Sequence, residues 1–236
     1  MGRRLRCLLF SFFLLTFPSG AFADKAEVDF RAFKGQDAYA WLAEHNFILE
    51  RSADNRKKTR LSFTDQGLTI EALKSAQSLI ALKKGKLTGD ESVEIVWGVN
   101  KFPAGASYQK GHRNEAIMFY AFFGKEMIDS GSPIIPDSPY FIALHLCEND
   151  PIGAPLMGRF YHKGGRFICA AHPKPGEAVT TRLDLKKTFK DLFGIDAPPL
   201  SGIAFEFDTT KPQDDGTSSA FVQSLKFPKA TYIRED

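Results

Sequence analysis

The sequence predicts a mainly β protein: an antiparallel, jelly-roll-like β-sandwich with one short helix in its C-terminal half, at about 184–193, and a short N-terminal helix. Three observations carry this reading. Apolar residues recur with period two along Val93/Ile95/Trp97/Val99, Ile203/Phe205/Phe207 and Phe221/Leu225/Phe227. Gly, Pro, Asn and Asp punctuate the chain between such runs. One segment, with Leu185, Phe189, Leu192 and Phe193, repeats at helical spacing.

The first residues read as an export leader. Arg3, Arg4 and Arg6 precede an apolar run from Cys7 to Phe17, a break at Pro18-Ser19-Gly20, and the small-residue site Ala21-Phe22-Ala23. Cleavage is expected after Ala23, leaving residues 24–236 as one β-sandwich domain, periplasmic or secreted, with no membrane span. The leader contains three of the 31 basic residues and none of the 28 acids, so the remainder is neutral, which argues against a nucleic-acid partner. The basic clusters Arg56-Lys57-Lys58 with Arg60, and Lys83-Lys84 with Lys86, read as solvated faces. Cys147 and Cys169 survive cleavage; they are a disulfide or two buried thiols, and structural in either case.

Taken in order, residues 24–34 suggest an edge strand around Val28 and Phe30, and residues 36–47 a short helix placing Trp41 against the sandwich. Arg60 to Phe63 and Leu68 to Ala72 flank Thr64-Asp65-Gln66-Gly67, a hairpin signature. A short strand follows at Ser78 to Leu82, then Val93 to Val99 with its odd-numbered residues in the core. Glu115 to Phe123 is apolar throughout, as in a central strand covered on both sides. Tyr140 to Cys147 alternates; Phe160-Tyr161 leads through Lys163-Gly164-Gly165 into Arg166 to Ala170 as a hairpin; Val179 to Leu183 is another strand. Asp184 caps the helix and Gly194 stands at its left-handed end. The closing segment, Ser201 to Phe227, reads as two neighbouring strands of one sheet with a loop displayed between them.

The chain resembles the bacterial family known as domain of unknown function 3047, from about Arg60 to Phe227. Carriers are IVWGVNKFPAGASY (Ile95 to Tyr108), NEAIMFYAFF (Asn114 to Phe123), the helix into PPLSGIAFEFDTT (Pro198 to Thr210) and DGTSSAFVQSLKF (Asp215 to Phe227). It departs from that pattern at Ile95-Val96-Trp97 for Trp-Arg-Trp, Asn114-Glu115 for two aspartates, and Met118 for arginine. The resemblance implies a secreted jelly-roll-like sandwich and no established activity.

Several constellations are candidates for chemistry. Glu206 and Asp208 share one face of a strand, with Glu94 facing away from the core on another, a pattern that some jelly-roll glycosidases use and that a solvated outer face also produces. Asp208, Asp214 and Asp215 offer oxygen ligands for a structural Ca2+, or simple turn chemistry. His112, Arg113 and Glu115 form the densest polar cluster, beside a ligand groove or at an exposed strand end. With 22 Phe against 2 Trp and 6 Tyr, the aromatics point to core; Tyr108, Tyr161 and Trp41 are the candidates for a sugar-stacking platform. No metal-protease, hydrolase-elbow, phosphate-loop or C-x-x-C motif is present.

The composite reading is a non-catalytic binding module for a glycan or another envelope component. Its alternatives are a carbohydrate-active enzyme, glycosidase or lyase, using Glu206 and Asp208, and a structural or protein-interaction module of the envelope.

Overall fold

A computed structural model describes residues 24–82, 86–88, 92–211 and 213–233; the expected leader with its cut after Ala23, and Lys83 and Lys84, lie outside them. The chain is the predicted sandwich, two seven-stranded sheets face to face. The first sheet has the order β12 (Ala178–Asp184), β7 (Ser92–Lys101), β14 (Ser218–Ile233), β4 (Gly67–Ala72), β3 (Thr59–Thr64), with β1 (Asp24–Asp29) and β6 (Lys86–Thr88) also paired to β14. The second has the order β10 (Pro155–Leu156), β11 (Gly165–Ala171), β9 (Ser138–Leu146), β8 (Glu115–Ile128), β13 (Leu200–Asp208), β5 (Gln77–Leu82), β2 (Phe47–Arg51). All pairings are antiparallel except β9 with β11, which run parallel.

The core is the apolar parity predicted for the strands. Val93, Ile95, Trp97 and Val99 are buried from the first sheet, and Ile117, Phe119, Ile203, Phe205 and Phe207 from the second. Trp97 satisfies its ring N–H on the Thr181 hydroxyl at 2.9 Å. The helix α2 (Leu185–Phe193) has the predicted ends: Asp184 accepts from the Lys187 N–H, and Gly194 adopts φ 74°. Its Phe189 packs on Phe123 and Tyr140. The shorter α1 (Ala38–Glu44) ends at Asn46, whose φ of 63° does what a glycine does elsewhere, and β2 follows at once.

The structure corrects four expectations. The two closing strands, β13 and β14, are not neighbours; they lie in opposite sheets, and the intervening loop carries the chain across the core. Their alternating pattern was compatible with either arrangement, because period two records a covered face and not its partner. The Phe160-Tyr161 hairpin does not form; β11 pairs instead with Pro155-Leu156 on one side and with β9 on the other. Phe30 belongs to a 3-10 turn, Phe30–Phe33, after β1. Trp41 is no platform: it is buried against Phe30, Phe33 and Phe63, with the His45 ring stacked 3.8 Å from it.

Cys147 and Cys169 form a disulfide that joins the ends of β9 and β11. At a sequence separation of 22, the bridge restricts the unfolded chain by about 3 kcal/mol on chain-entropy grounds. A Cys147→Ser/Cys169→Ser double variant is therefore expected to lose about that much stability in urea titrations, unchanged by added reductant. The two-residue turn between β3 and β4 supplies a second test. Gly67 has φ 93°, and a Cβ there would stand 2.2 Å from the Val222 carbonyl oxygen. Gly67→Ala is expected to cost at least about 2 kcal/mol, read from the same titrations.

Candidate functional site

The side of the second sheet turned away from the core is covered by aromatic side chains. Met118, Phe141, Ala143 and Phe167 form its buried floor, with Tyr108, Tyr120, Phe122, Leu156 and Tyr161 packed around them and partly open. Tyr120 and Phe122 stack nearly parallel at 5.5 Å, and Phe141 meets Tyr120, Tyr161 and Phe167 edge-on at 5.4 to 5.5 Å.

A change of register brings Glu115 to this face. β8 and β13 pair Phe119 with Phe205 and Met118 with Glu206, then slip so that Glu115 meets Asp208. Three steps on β8 oppose two on β13, which is a β-bulge. Without it Glu115 would share the parity of Ile117 and Phe119 and point into the sandwich. With it, Ala116 and Ile117 both enter the core, and Glu115 reaches Tyr108, whose hydroxyl donates to Glu115 Oε2 at 2.7 Å.

Three carboxyls are thus gathered on neighbouring strands. Glu115 is 2% exposed, and its Oε1 has no hydrogen-bond partner. Burial, with the charges of Glu206 and Asp208 added, pushes its carboxyl well above the usual range. Glu206 is pushed up to about 7, chiefly by burial and further by Asp208; the Gln77 amide, the Arg51 charge and the Tyr120 hydroxyl oppose the rise. Gln77 Nε2 donates to Glu206 Oε1 at 2.5 Å, and Arg51 Nη1 donates to Gln77 Oε1 at 2.5 Å. Arg51 ends β2 with φ 59°. Burial also raises Asp208, against hydrogen bonds from the Thr210 N–H at 2.7 Å and the Thr210 hydroxyl at 2.5 Å. Burial raises the Tyr108 and Tyr120 phenols far enough to keep them protonated as donors.

Tyr108 is held in place by Asp150. The buried Asp150 carboxylate accepts from the Ser107 hydroxyl at 2.6 Å and from the Tyr108 and Gln109 N–H groups at 2.7 and 3.3 Å. Burial alone would raise Asp150; the His145 ring at 3.7 Å and these donors outweigh it and hold the carboxyl below its usual range. Asp150 and the Cys147–Cys169 bridge thus anchor the loop that presents the Tyr108 hydroxyl.

Of the residues singled out from sequence, Glu206, Asp208, Glu115, Tyr108 and Tyr161 meet on this face. Glu94 does not: it lies on the first sheet and accepts from Arg182 Nε at 2.6 Å. The His112 side chain is exposed, while Arg113 is half-buried with its Nε lacking a partner. Asp214 and Asp215 cap turns, accepting from the Gly216 and Thr217 N–H groups, and do not join Asp208 in a ligand set. Among the described residues the one cluster of His, Cys, Asp or Glu ligand atoms is His145 with Cys147 and Cys169, whose sulfurs are bonded to each other and have no thiolate to give. A groove of about 300 Å³ beside α1 and β3, where Arg56 lies 4.1 Å over the Tyr39 ring, is separate from the acids. Arg51, Gln77, Tyr120 and Phe122 escaped the sequence reading. The usable sign was Met118/Tyr120/Phe122 alternating with Ile117/Phe119/Ala121, apolar on both faces of an antiparallel strand.

The fold and this face define a β-sandwich protein with buried acids set in an aromatic surface. No family model matches the chain, and no curated protein matches it. Among solved structures it is similar in backbone to a xylan-binding module CBM15 (TM-score 0.32, 8% identity, 81% of this chain and 93% of that one). The xyloglucanase domain of NopAA, a type three effector from Sinorhizobium fredii in complex with cellobiose, gives TM-score 0.31 at 12% identity over 71% and 81% of the two chains. The family 11 xylanase from Neocallimastix patriciarum gives 0.30 at 9% identity over 89% and 100%. Superpositions this partial assign the chain neither an activity nor a ligand.

The acids make stability depend on pH. The Glu206 carboxyl titrates near 4.5 when unfolded and about 7 when folded, so the folded state holds the extra proton between those values. The contribution of this group is greatest below pH 4.5 and falls as pH rises to 7, by about 3 kcal/mol. Glu206→Gln is expected to be the more stable protein at pH 8, and to flatten the pH 4.5–7 slope in urea titrations.

Proposed function

We propose that the chain is an exported glycan-binding protein and that the outer face of the second sheet is its binding surface. The observation that carries this is the pairing of half-exposed Tyr120, Phe122 and Tyr161 rings with hydrogen-bonding groups on one face. A sugar presents an apolar C–H face and a rim of hydroxyls. Aromatic rings take the first, and closely set donors and acceptors, here Gln77, Tyr120 and Glu206, take the second. The Glu206 and Asp208 carboxyls set against the Arg51 guanidinium leave this face little attraction for anions, which suits a neutral polysaccharide. The disulfide supports an oxidising compartment, in keeping with the leader read from residues 1–23.

Affinity gel electrophoresis of the full chain through neutral polysaccharides is the test. Retardation is expected in at least one polymer. Phe122→Ala and Tyr161→Ala should each weaken it about tenfold, as the loss of one ring's stacking implies. Uniform mobility in every gel, with capture of an envelope protein instead, would overturn the reading.

A further inference from the structure

We propose that Glu115 and Glu206 are a catalytic pair that hydrolyses a glycosidic bond of the polysaccharide on this face, with Glu115 as general acid and Glu206 as general base. The proposal rests on the glycan reading above and adds a reaction to it. The two residues lie on adjacent strands at diagonal positions across the bulge, which sets their backbones about 7–8 Å apart. Backbones so spaced let two glutamate carboxyls stand roughly 6.5–9.5 Å apart, the separation at which a water fits beside an anomeric carbon. Asp208 stands directly opposite Glu115, but its Oδ1 is occupied by the Thr210 N–H and hydroxyl.

The two acids are held differently. Glu115 is fixed through Oε2 by Tyr108, and its Oε1, buried and unpartnered, is where a protonated carboxyl lacks only an acceptor. The bridging oxygen of a glycoside would be that acceptor. Glu206 is fixed by the Gln77 amide, itself backed by Arg51, an arrangement that favours the ionised form. Burial pushes both groups up, with the charges of Glu206 and Asp208 adding to the rise of Glu115 and that of Asp208 to the rise of Glu206. The Gln77 amide and the Arg51 charge support the ionised form of Glu206, which assigns the acid to Glu115 and the base to Glu206. In the reaction the anomeric C–O bond breaks and the departing oxygen takes the Glu115 proton. Water adds to the anomeric carbon from the opposite side and gives its proton to Glu206. One bond is exchanged for another, a new reducing end appears, and the proton passes back to Glu115 through solvent.

The experiment uses the purified full chain with hydroxyethyl cellulose, arabinoxylan, galactomannan and soluble starch. New reducing ends are measured from pH 4 to 8, with gel retardation run in parallel. One polymer is expected to be cut, and Glu115→Gln should slow cleavage by at least about 100-fold while retardation persists. Glu206→Gln should slow it as much while also weakening retardation, since Glu206 is an acceptor of the binding face. Glu94→Gln, on the other sheet, should leave both unchanged. Tyr108→Phe removes the donor that lowers the Glu115 carboxyl, so it should move the alkaline limb of the pH profile upward. Should a Gln variant fail to fold, that limb still decides the matter: an unmoved limb overturns the role of Glu115. Retardation by the unaltered chain without new reducing ends, or full cleavage by either Gln variant, would overturn the catalytic pair and leave the binding face standing. Neither retardation nor cleavage would remove both.

Discussion

A β-strand offers its side chains alternately to two faces, and everything distinctive in this protein depends on where that alternation is interrupted. On β14 an irregularity at Gln223 lets Val222 and Leu225, three residues apart, both reach the core, opposite Trp97 and Ile95. Phe221 is left on the far side, its ring laid where a Cβ on Gly98 would otherwise stand. On β8 the equivalent slip sends Ala116 and Ile117 inward and turns Glu115 out among the aromatic rings. The one extra residue between Glu115 and Met118 on β8 thus places a polar centre on the outer face of the second sheet.

That polar centre works against the fold that holds it. Buried carboxyls are disfavoured in their ionised form, and the surrounding groups, Gln77, Tyr108 and Tyr120, offset only part of the cost. The loop side compensates elsewhere, with Asp150 tying down three donors and the Cys147–Cys169 bridge fixing the neighbouring strands. Destabilising groups set in a rigid frame are what a preorganised site requires, and they do little for a purely structural surface.

Much of the architecture was legible because it rests on local periodicity. The inward residues of β7, the capped helix α2 and the hairpin at Gly67 follow from spacing and turn chemistry alone. Which strands would pair was not legible, since β13 and β14 carry the same alternating pattern whether they are neighbours or face one another across a core. The site was half visible for the same reason. Glu206 and Asp208 follow from parity along one strand, whereas Glu115 joins them only through a register slip, and Arg51 and Gln77 only through the distant pairing of β2, β5 and β13. Trp41 misled because an aromatic residue in an amphipathic helix is as well suited to a hidden face as to an open one.

The first sheet is built around β14, which is its last strand in chain order, while Leu68 and Trp97 wait more than a hundred residues upstream for Val222. Such non-local closure is slow, because the entropy of a long loop is lost before any contact rewards it. Until β14 arrives, β4 and β7 present open hydrogen-bonding edges beside exposed apolar faces, the combination that recruits other chains. A protein assembled in this sequence passes through states open to aggregation, whatever its eventual stability once the keystone strand is in place.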